Sequence, residues 1–386
     1  MSNRLGIIGG GQLALYLAEA AGELDIPVAI IAETADATAL QRADHAIVGA
    51  LDSIPAIDRL LDCSDVITFD KEAIPDQTLA YLVAAQAQGR ISVCPGADSL
   101  LMLKDKALQK AWLQEQNLPT LPFHVFSQGD PPLEFSAERF GEGLVQKARC
   151  GGYDGRGVQI LKTLESRQNL WNVPSIVEPY LPDCREVSVV TVRSRSGDIR
   201  TYPPVSMAFD AKLNSVTTVT MPAAISPRLE RVAIALAEKV VTLLDGVGVF
   251  AIEMFITPGE ELLVNEISPR VHNSGHLTLD ACNVSQFEQH VRAVTGLPLV
   301  IIEAETPAVM MNILYAEAMR PHCPDRPVTE HSVEAGTSVY WYGKAPGTNG
   351  RKMGHINALG PSVPSAMESA NLALGRLMAG NSECAA

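Results

Sequence analysis

The chain has 386 residues, of which 47% are hydrophobic and 19% are charged. This length is too great for one ordinary core and indicates an enzyme of two or three lobes, and the composition excludes a disordered or coiled-coil protein. The net charge of −14 argues against nucleic acid or an anionic membrane as the main partner, although it is compatible with a local cationic pocket for phosphates.

The cysteines and the apolar stretches bear on where the protein works. The seven cysteines are scattered, odd in number and without a CxxC pair, so we expect reduced thiols in a cytoplasmic protein. No uninterrupted apolar stretch reaches the roughly 20 residues that a membrane span requires. The N-terminus lacks the basic and apolar segments of a secretory signal, so we expect no membrane partner and no export.

Residues 1–95 predict a parallel sheet with helices on both faces. Apolar runs at residues 5–8, 28–31, 46–48, 66–69 and 91–93 alternate with helical spacing such as that of residues 12–21. Alternation of this kind is typical of an α/β domain. We therefore place a Rossmann-like domain at residues 1–95.

The remainder predicts α+β structure in two further domains, at residues 96–300 and 301–386. The first of these includes a small subdomain at about residues 123–182. The predicted helices are 99–116, 164–170, 227–244 and 365–379, and the predicted strands are 186–192, 216–220, 249–256, 261–267, 309–314 and 338–341. Meander and hairpin signals dominate the strands.

A glycine turn, Gly9 to Gly11, joins the first strand to the first helix, and Gln12 follows it. Glycines permit close approach of a phosphate to the N–H groups of a helix N-terminus. A turn that only packs the helix on the sheet explains the same glycines. Because Glu33 follows the second strand, binding of a nicotinamide nucleotide is a further interpretation.

A second glycine-rich segment has four glycines within residues 151–157, and Lys147 stands on the strand before it. These features suit a mobile flap that closes its backbone N–H groups over a polyphosphate. A plain surface hairpin would explain the glycines but not a basic strand residue beside Tyr153, Asp154 and Arg156.

Two glutamates interrupt apolar strands. Glu253 and Glu266 come level on adjacent strands if residues 257–260 form the hairpin turn between them. Two hard oxygen donors so placed suit Mg²⁺ held between protein and nucleotide phosphates. A solvent-facing pair of glutamates would instead leave like charges opposed on one sheet face.

The polar run at residues 268–276 follows directly. Within it, Arg270 is the best candidate for stabilising a developing phosphoryl or carboxyl anion. His272 and His276 are candidate acid/base groups or a zinc pair, although no third nitrogen or sulfur ligand is near.

The cations Lys344, Arg351 and Lys352 are concentrated near the C-terminus of an otherwise acidic chain. They indicate either an anion pocket or a solvated basic loop. The sequence alone leaves both interpretations open.

Three motifs together, at residues 151–157, 265–276 and 350–355, resemble the ATP-grasp superfamily and, within it, the N5-carboxyaminoimidazole ribonucleotide synthetases of bacterial and fungal purine synthesis. The resemblance spans nearly the whole chain. It implies an ATP-grasp fold with an N-terminal pre-ATP-grasp domain and a small C-terminal domain, ATP and Mg²⁺ as cofactors, and a homodimer.

The resemblance also implies roles for individual residues. ATP would be bound by Lys106, Lys147, Gly151, Gly152, the hinge residues Glu178, Pro179, Tyr180 and Leu181, and Glu186 and Asn265. The magnesium ligands would be Glu253 and Glu266. The amine substrate would be held by Gly10, Gly11, Gln12, Glu72, Lys344, Arg351 and Lys352. The catalytic residues would be Tyr153, Asp154, Arg156, Arg270, His272 and Asn273.

The implied reaction is attack of bicarbonate on the γ-phosphate of ATP, followed by transfer of the carboxyl group to the exocyclic amine of aminoimidazole ribonucleotide. The chain departs from the usual family pattern at residues 14–16, 70–73 and 348–349. All three departures are on the amine-substrate side. They leave open a paralogous ligase with another amine acceptor. Two further alternatives are a nicotinamide-dependent oxidoreductase based on the glycine turn at residues 9–14 and a catalytically silent nucleotide-binding subunit.

Overall fold

The computed structural model describes residues 4–127, 140–152, 157–210, 215–316, 323–332, 336–345, 347 and 350–378. None of the helices in these ranges is both long enough and apolar enough to cross a membrane.

The N-terminal lobe contains a five-stranded parallel sheet, as predicted. Its strands are β1 Leu5–Ile8, β2 Val28–Ala32, β3 His45–Val48, β4 Val66–Phe69 and β5 Ser92–Val93, in the order β3-β2-β1-β4-β5, and its helices are α1 Gln12–Glu23, α2 Ile54–Asp62 and α3 Asp76–Ala87. Successive residues of a strand point to opposite faces of the sheet. Ile7 therefore packs in the cluster with α1, whereas Ile8 packs in the cluster with α2 and α3. Burial on both faces explains why these strands are continuous apolar runs.

The predicted helix at 99–116 is wrong as a single helix. The structure has two helices there, α4 Ala97–Leu103 and α5 Lys106–Glu115. Asp105 divides them, because its carboxylate accepts from the N–H groups of Ala107 and Leu108 and so caps α5. The cap makes Lys106 the first residue of α5.

The subdomain predicted at 123–182 contains a four-stranded antiparallel sheet. Its strands are β6 His124–Phe126, β7 Leu144–Ala148, β8 Val158–Leu161 and β9 Ser175–Pro179, in the order β6-β9-β7-β8. The predicted α-helix at 164–170 is wrong in type, since only a 3-10 turn, Glu165–Asn169, is present. Ser166 and Thr163 exchange bonds between side chain and backbone there, and such local bonds compete with the α-helical pattern.

A ten-stranded sheet occupies the rest of the chain. Its strands are β10 Arg185–Arg193, β11 Ile199–Thr201, β12 Val205–Asp210, β13 Ser215–Met221, β14 Gly248–Ile256, β15 Leu262–Ser268, β16 Ala308–Leu314, β17 Pro327–Ser332, β18 Thr337–Tyr342 and β19 Lys352–Leu359. Its helices are α6 Pro227–Leu244, α7 Thr278–Ala281, α8 Gln286–Thr295 and α9 Val363–Met378. Strand β13 pairs antiparallel with β16, so the sheet includes strands on both sides of the domain boundary predicted at residue 300. The domain boundaries themselves stay predictions.

Candidate active site

The lysines expected to bind ATP come together in one cavity. It is lined by Lys106, Gln109, Lys110, Lys147, Ile176, Asn265 and Glu266. Helix α5 presents Lys106 and Lys110 from one face, because residues four apart lie one turn apart on a helix. Strand β7 supplies Lys147, so two separate elements direct their charges into the same space.

Acidic and amide groups hold these lysines. The Nζ atom of Lys106 lies 2.5 Å from Oε1 of Glu266, and the Nζ atom of Lys147 donates to Oδ1 of Asn265 at 2.7 Å. Lys147 also lies 2.7 Å from Oε2 of Glu178. The cavity therefore combines the cations that bind phosphates with the carboxylate and amide oxygens that bind a divalent cation.

Glu253 and Glu266 lie level on the antiparallel strands β14 and β15, as predicted from the turn between them. Burial, and then the charge of Glu266, raise the pKa of Glu253 to about 8. Burial also acts on Glu266, but Lys106 and other cations prevail and lower its pKa. A buried pair in which one carboxylate resists ionisation fits a divalent cation placed between them.

The hinge residues lie at the end of β9. Glu178 is 1% exposed and its carboxylate is shared by two lysines, with Lys110 Nζ 2.6 Å from its Oε1 atom and Lys147 on its other oxygen. Beyond it, Pro179, Tyr180 and Leu181 are partly exposed, and Tyr180 N donates to Gly143 O at 2.9 Å.

Glu186 stands on β10, the next strand of the large sheet. Burial raises the pKa of its carboxyl to about 7. Lys147 acts in the opposite direction on the same carboxyl. Glu186 is also among the charges that raise the pKa of Glu253, so the acidic groups of β10, β14 and β15 influence one another.

Arg270 lies just beyond the end of β15 and pairs with the N-terminal lobe. Its Nε atom is 2.8 Å from Oε1 of Glu72. His272 contacts the acidic pair, with Nε2 at 3.3 Å from Glu253 Oε1. The side-chain amides of Asn273 and Asn312 bond to each other at 2.9 and 3.0 Å. The polar run thus contacts both the candidate metal pair and Glu72, which is predicted to hold the amine substrate.

The zinc-pair interpretation of His272 and His276 is not supported. His276 is fully buried and stacks on His355, with ring centroids 4.6 Å apart. His272 Nδ1 instead bonds to Ser274 Oγ. Within the described ranges, no group of three or more His, Cys, Asp or Glu side chains is placed to hold a metal.

On the amine-substrate side, Lys344 joins the first and last lobes. Its Nζ atom donates to Gln12 Oε1 at 2.7 Å and to Lys352 O at 3.2 Å. Lys352 is only 7% exposed and begins β19, so a solvated basic loop does not describe it. Arg351 is exposed and donates to Ala345 O. The anion-pocket interpretation therefore stays a prediction, and it depends on Lys344 and Lys352 together with Gln12.

The glycine turn at residues 9–11 is bonded to and packed against other parts of the N-terminal lobe. The Gly11 N–H donates to Asp70 Oδ2 at 2.7 Å, at the N-terminus of α1. A Cβ at Gly10 would lie 2.6 Å from Ala32 Cβ, so that glycine permits close packing of the turn on β2. Since a carboxylate already takes the Gly11 N–H, the packing interpretation is better supported than a phosphate at that N–H.

Three predicted residues, Tyr153, Asp154 and Arg156, lie outside the described residues. Gly151 and Gly152 precede them, and Gly151 has a φ of +78°, a conformation that favours glycine. Three residues of the cavity, Gln109, Lys110 and Ile176, were not predicted. For Lys110, the position four residues after Lys106 was the available signal.

Three family models match the chain in succession. The ribonucleotide synthetase preATP-grasp domain matches residues 2–104, the ATP-grasp domain residues 111–287, and the phosphoribosylaminoimidazole carboxylase C-terminal domain residues 308–369. These matches confirm the predicted fold class, an ATP-grasp fold with an N-terminal Rossmann-like domain and a small C-terminal domain.

Individual proteins match over nearly all of the chain. The N5-carboxyaminoimidazole ribonucleotide synthase of Synechococcus elongatus is 36% identical, over 91% of this chain and 88% of the relative. A crystal structure of the ADP complex of an N5-carboxyaminoimidazole ribonucleotide synthetase has a TM-score of 0.85 and 31% identity, covering 99% of this chain and 98% of that one. The synthase from Aspergillus clavatus, solved with ADP and 5-aminoimidazole ribonucleotide, has a TM-score of 0.84 and 26% identity, covering 98% and 99%.

Proposed function

Since the chain belongs to the N5-carboxyaminoimidazole ribonucleotide synthase family of ATP-grasp ligases, we propose that it carboxylates the exocyclic amine of 5-aminoimidazole ribonucleotide in de novo purine biosynthesis. Bicarbonate supplies the carboxyl group, and ATP is converted to ADP and phosphate. The observation that carries the proposal is the convergence of Lys106, Lys147 and Glu266 on one cavity, with Glu253 level with Glu266 on the neighbouring strand. Arg270 is close enough to contribute to the lowered pKa of Glu266.

In the proposed complex, Lys106 and Lys147 bind the ATP phosphates. Gly151 and Gly152 close over the phosphates, residues 178–181 receive the adenine, and Glu186 binds the ribose. Support comes from the position of both lysines on the cavity wall and of residues 178–181 at the end of β9 beside it.

Glu253 and Glu266 would hold Mg²⁺, with Asn265 beside them. The fit rests on their level pairing on β14 and β15 and on the raised pKa of Glu253, which burial and then the charge of Glu266 cause. When bound, the ion neutralises charge on the phosphate oxygens during transfer.

In the first step, a bicarbonate oxygen attacks the γ-phosphorus of ATP. The bond from that phosphorus to the bridging oxygen of ADP breaks, which gives carboxyphosphate and ADP. Arg270 stabilises the developing negative charge with its guanidinium, and Glu72 fixes the orientation of that guanidinium through their ion pair. Positioning and charge stabilisation carry this step.

In the second step, the exocyclic amine attacks the carboxyl carbon of carboxyphosphate, or CO₂ released from it in the closed site. Phosphate leaves and the amine loses a proton, which gives the carbamate. Gln12, Lys344 and Lys352 hold the ribonucleotide, supported by their contacts across the two lobes. Arg351, Gly10 and Gly11 border this region, and Tyr153, Asp154 and Arg156 are proposed to face the aminoimidazole.

The departures at residues 14–16 do not favour another acceptor. Ala14, Leu15 and Tyr16 are all buried in a cluster that the N-terminal lobe shares with the large sheet. The Tyr16 ring lies among the rings of His276, Phe287, Tyr340, Tyr342 and His355. These departures therefore lie in the packing between lobes and give no support to a different acceptor.

We also propose that the enzyme is a cytoplasmic homodimer. The family resemblance supports the dimer, and the six cysteines in the described ranges are all free thiols, which suits a reducing compartment. Light scattering on the purified protein tests the dimer, and a mass near that of one chain would refute it.

The experiment that tests the proposed activity measures ADP release with bicarbonate and 5-aminoimidazole ribonucleotide supplied separately and together. We expect rapid ADP release only when both are present, with consumption of the ribonucleotide. The proposal would be overturned if the ribonucleotide did not stimulate ADP release and was not itself consumed. Screening other amines in the same assay then identifies a different acceptor.

A further inference from the structure

Glu178 carries a fully buried carboxylate that two lysines share. Lys110 Nζ lies 2.6 Å from one carboxylate oxygen and Lys147 Nζ lies 2.7 Å from the other. Burial opposes ionisation of this carboxyl, but the two lysines lower its pKa to about 2. Glu178 is therefore a fixed negative charge in contact with two of the lysines that line the cavity.

The two lysines differ in what else holds them. Lys110 is 3% exposed and its Nζ atom also donates to Thr120 Oγ1 at 2.8 Å, within the packing beneath α5. Lys147 is 10% exposed, and its other partner is Asn265 on the candidate metal-binding strand. Both lysines line the cavity, but Lys110 is anchored by Thr120, whereas Lys147 reaches across to Asn265 on the strand of the candidate metal ligands.

Resting on the proposed function, we propose that Lys110 is a positioning residue for ATP binding, because it keeps Glu178 neutralised when Lys147 turns from that carboxylate to the nucleotide phosphates. With Lys110 in place, Glu178 still has one lysine as its counter-charge after Lys147 has moved to the phosphates. Without Lys110, the same movement of Lys147 would leave the buried carboxylate of Glu178 unpaired, which is strongly unfavourable. Lys147 would then be held by Glu178 and withheld from ATP.

Titration calorimetry with Mg²⁺ and a non-hydrolysable ATP analogue tests this on four proteins: wild type, K110M, E178Q and the double variant K110M/E178Q. We expect K110M to bind the analogue about tenfold more weakly or worse, since it leaves Lys147 as the sole counter-charge of Glu178. E178Q removes the carboxylate but keeps the backbone of the hinge. The double variant is therefore expected to bind within about threefold of E178Q, because the reason to retain Lys147 is gone.

Lys104 provides a matched control. It is also largely buried, with its Nζ atom donating to Ile74 O at 2.6 Å and paired with Asp76. K104M should lower the melting temperature and leave the analogue's affinity unchanged. If K110M behaves in the same way, Lys110 is only structural and the inference is overturned.

A second comparison does not depend on the folding of K110M. It compares K110M/E178Q directly with E178Q, so any effect of residue 178 on the adenine hinge is common to both proteins. A loss of affinity of about tenfold or more in the double variant relative to E178Q would overturn the inference, because Lys110 would then act without Glu178. A wild-type protein that does not bind the analogue at all would overturn the proposed ATP-dependent function first, so the two failures are distinguishable.

Discussion

Glu253 and Glu266 pair directly across strands β14 and β15, yet the two carboxyls ionise differently. Burial and Glu266 raise the pKa of Glu253 to about 8, whereas Lys106 and its neighbours lower the pKa of Glu266. One glutamate is thus charged and paired while the other keeps its proton near neutral pH. This asymmetry makes the site titratable and gives the metal proposal a measurable signature.

The first prediction concerns pH and Glu253. Its carboxyl has a pKa of about 8 in the folded protein against an ordinary 4.5, so between those values the folded state keeps a proton that the unfolded chain has lost. The free energy of unfolding of the metal-free protein should therefore fall as pH rises through this window. E253Q should make the free energy of unfolding depend less steeply on pH. Part of the dependence should remain, because Glu186 has a pKa raised to about 7 and acts in the same direction.

Binding of Mg²⁺ with nucleotide should oppose the fall in the free energy of unfolding with rising pH, because the metal ion binds the ionised form of Glu253. Its stabilisation, measured as the shift in melting temperature, should be larger at pH 8 than at pH 6 in the wild type. An equal shift at both pH values, or an E253Q protein with an unchanged pH slope, would contradict the assignment of Glu253.

The second prediction concerns Arg270. R270K removes the planar guanidinium that Glu72 orients, and we expect kcat to fall by about 10²-fold or more with little change in KM for ATP. Steady-state kinetics measures both constants. R292K is the matched control, because Arg292 makes a similar ion pair with Glu288 at 2.7 Å on α8, away from the cavity. An equal loss of kcat in both variants would show a general structural effect.

The third prediction concerns the pair Gln12 and Lys344. K344M should raise KM for 5-aminoimidazole ribonucleotide about tenfold or more, because it removes a charged donor from the proposed substrate pocket. Affinity for Mg-ATP should stay within about twofold, as the ATP site is built from other elements. Because Lys344 Nζ bonds to Gln12 Oε1, the effects of Q12A and K344M should not add. Full additivity, or an equal change in ATP affinity, would count against this pocket.

The fourth prediction concerns stability at the first glycine turn. Gly9 has a φ of +118°, and a Cβ there would lie 1.6 Å from Asp70 Oδ1. G9A should therefore lower the free energy of unfolding by about 2–4 kcal/mol, measured by urea denaturation. Gly22 is the control, because it lies within α1 with no atom within 4 Å of an added Cβ. G22A should raise the free energy of unfolding by about 0.5–1 kcal/mol. A G9A variant with the stability of the wild type would contradict the close packing of the turn on Asp70.

Much of the fold could be predicted because local pattern and tertiary environment agree. The parallel strands are continuous apolar runs, and helix α6 begins at a Ser226 cap with Pro227 in its first turn. Strand β19 was missed because Lys352 and His355 give it the appearance of a basic loop, although both are buried in the structure. Their burial depends on partners far away in sequence, which periodicity cannot reveal.

The candidate site shows the same division. The level pairing of Glu253 and Glu266 could be predicted because a short hairpin fixes their register. The role of Asp70 as partner of the Gly11 N–H could not, because 59 residues separate them. Contacts of that kind follow from strand order in the sheet and not from motif spacing.

The most direct test of the central claim follows oxygen from bicarbonate to phosphate. With ¹⁸O-labelled bicarbonate, attack on the γ-phosphorus of ATP leaves one labelled oxygen on the phosphate after carboxyl transfer. We predict that phosphate released with 5-aminoimidazole ribonucleotide present carries one ¹⁸O atom, detected by mass spectrometry. Phosphate that carries oxygen only from water or ATP would contradict activation of bicarbonate as carboxyphosphate.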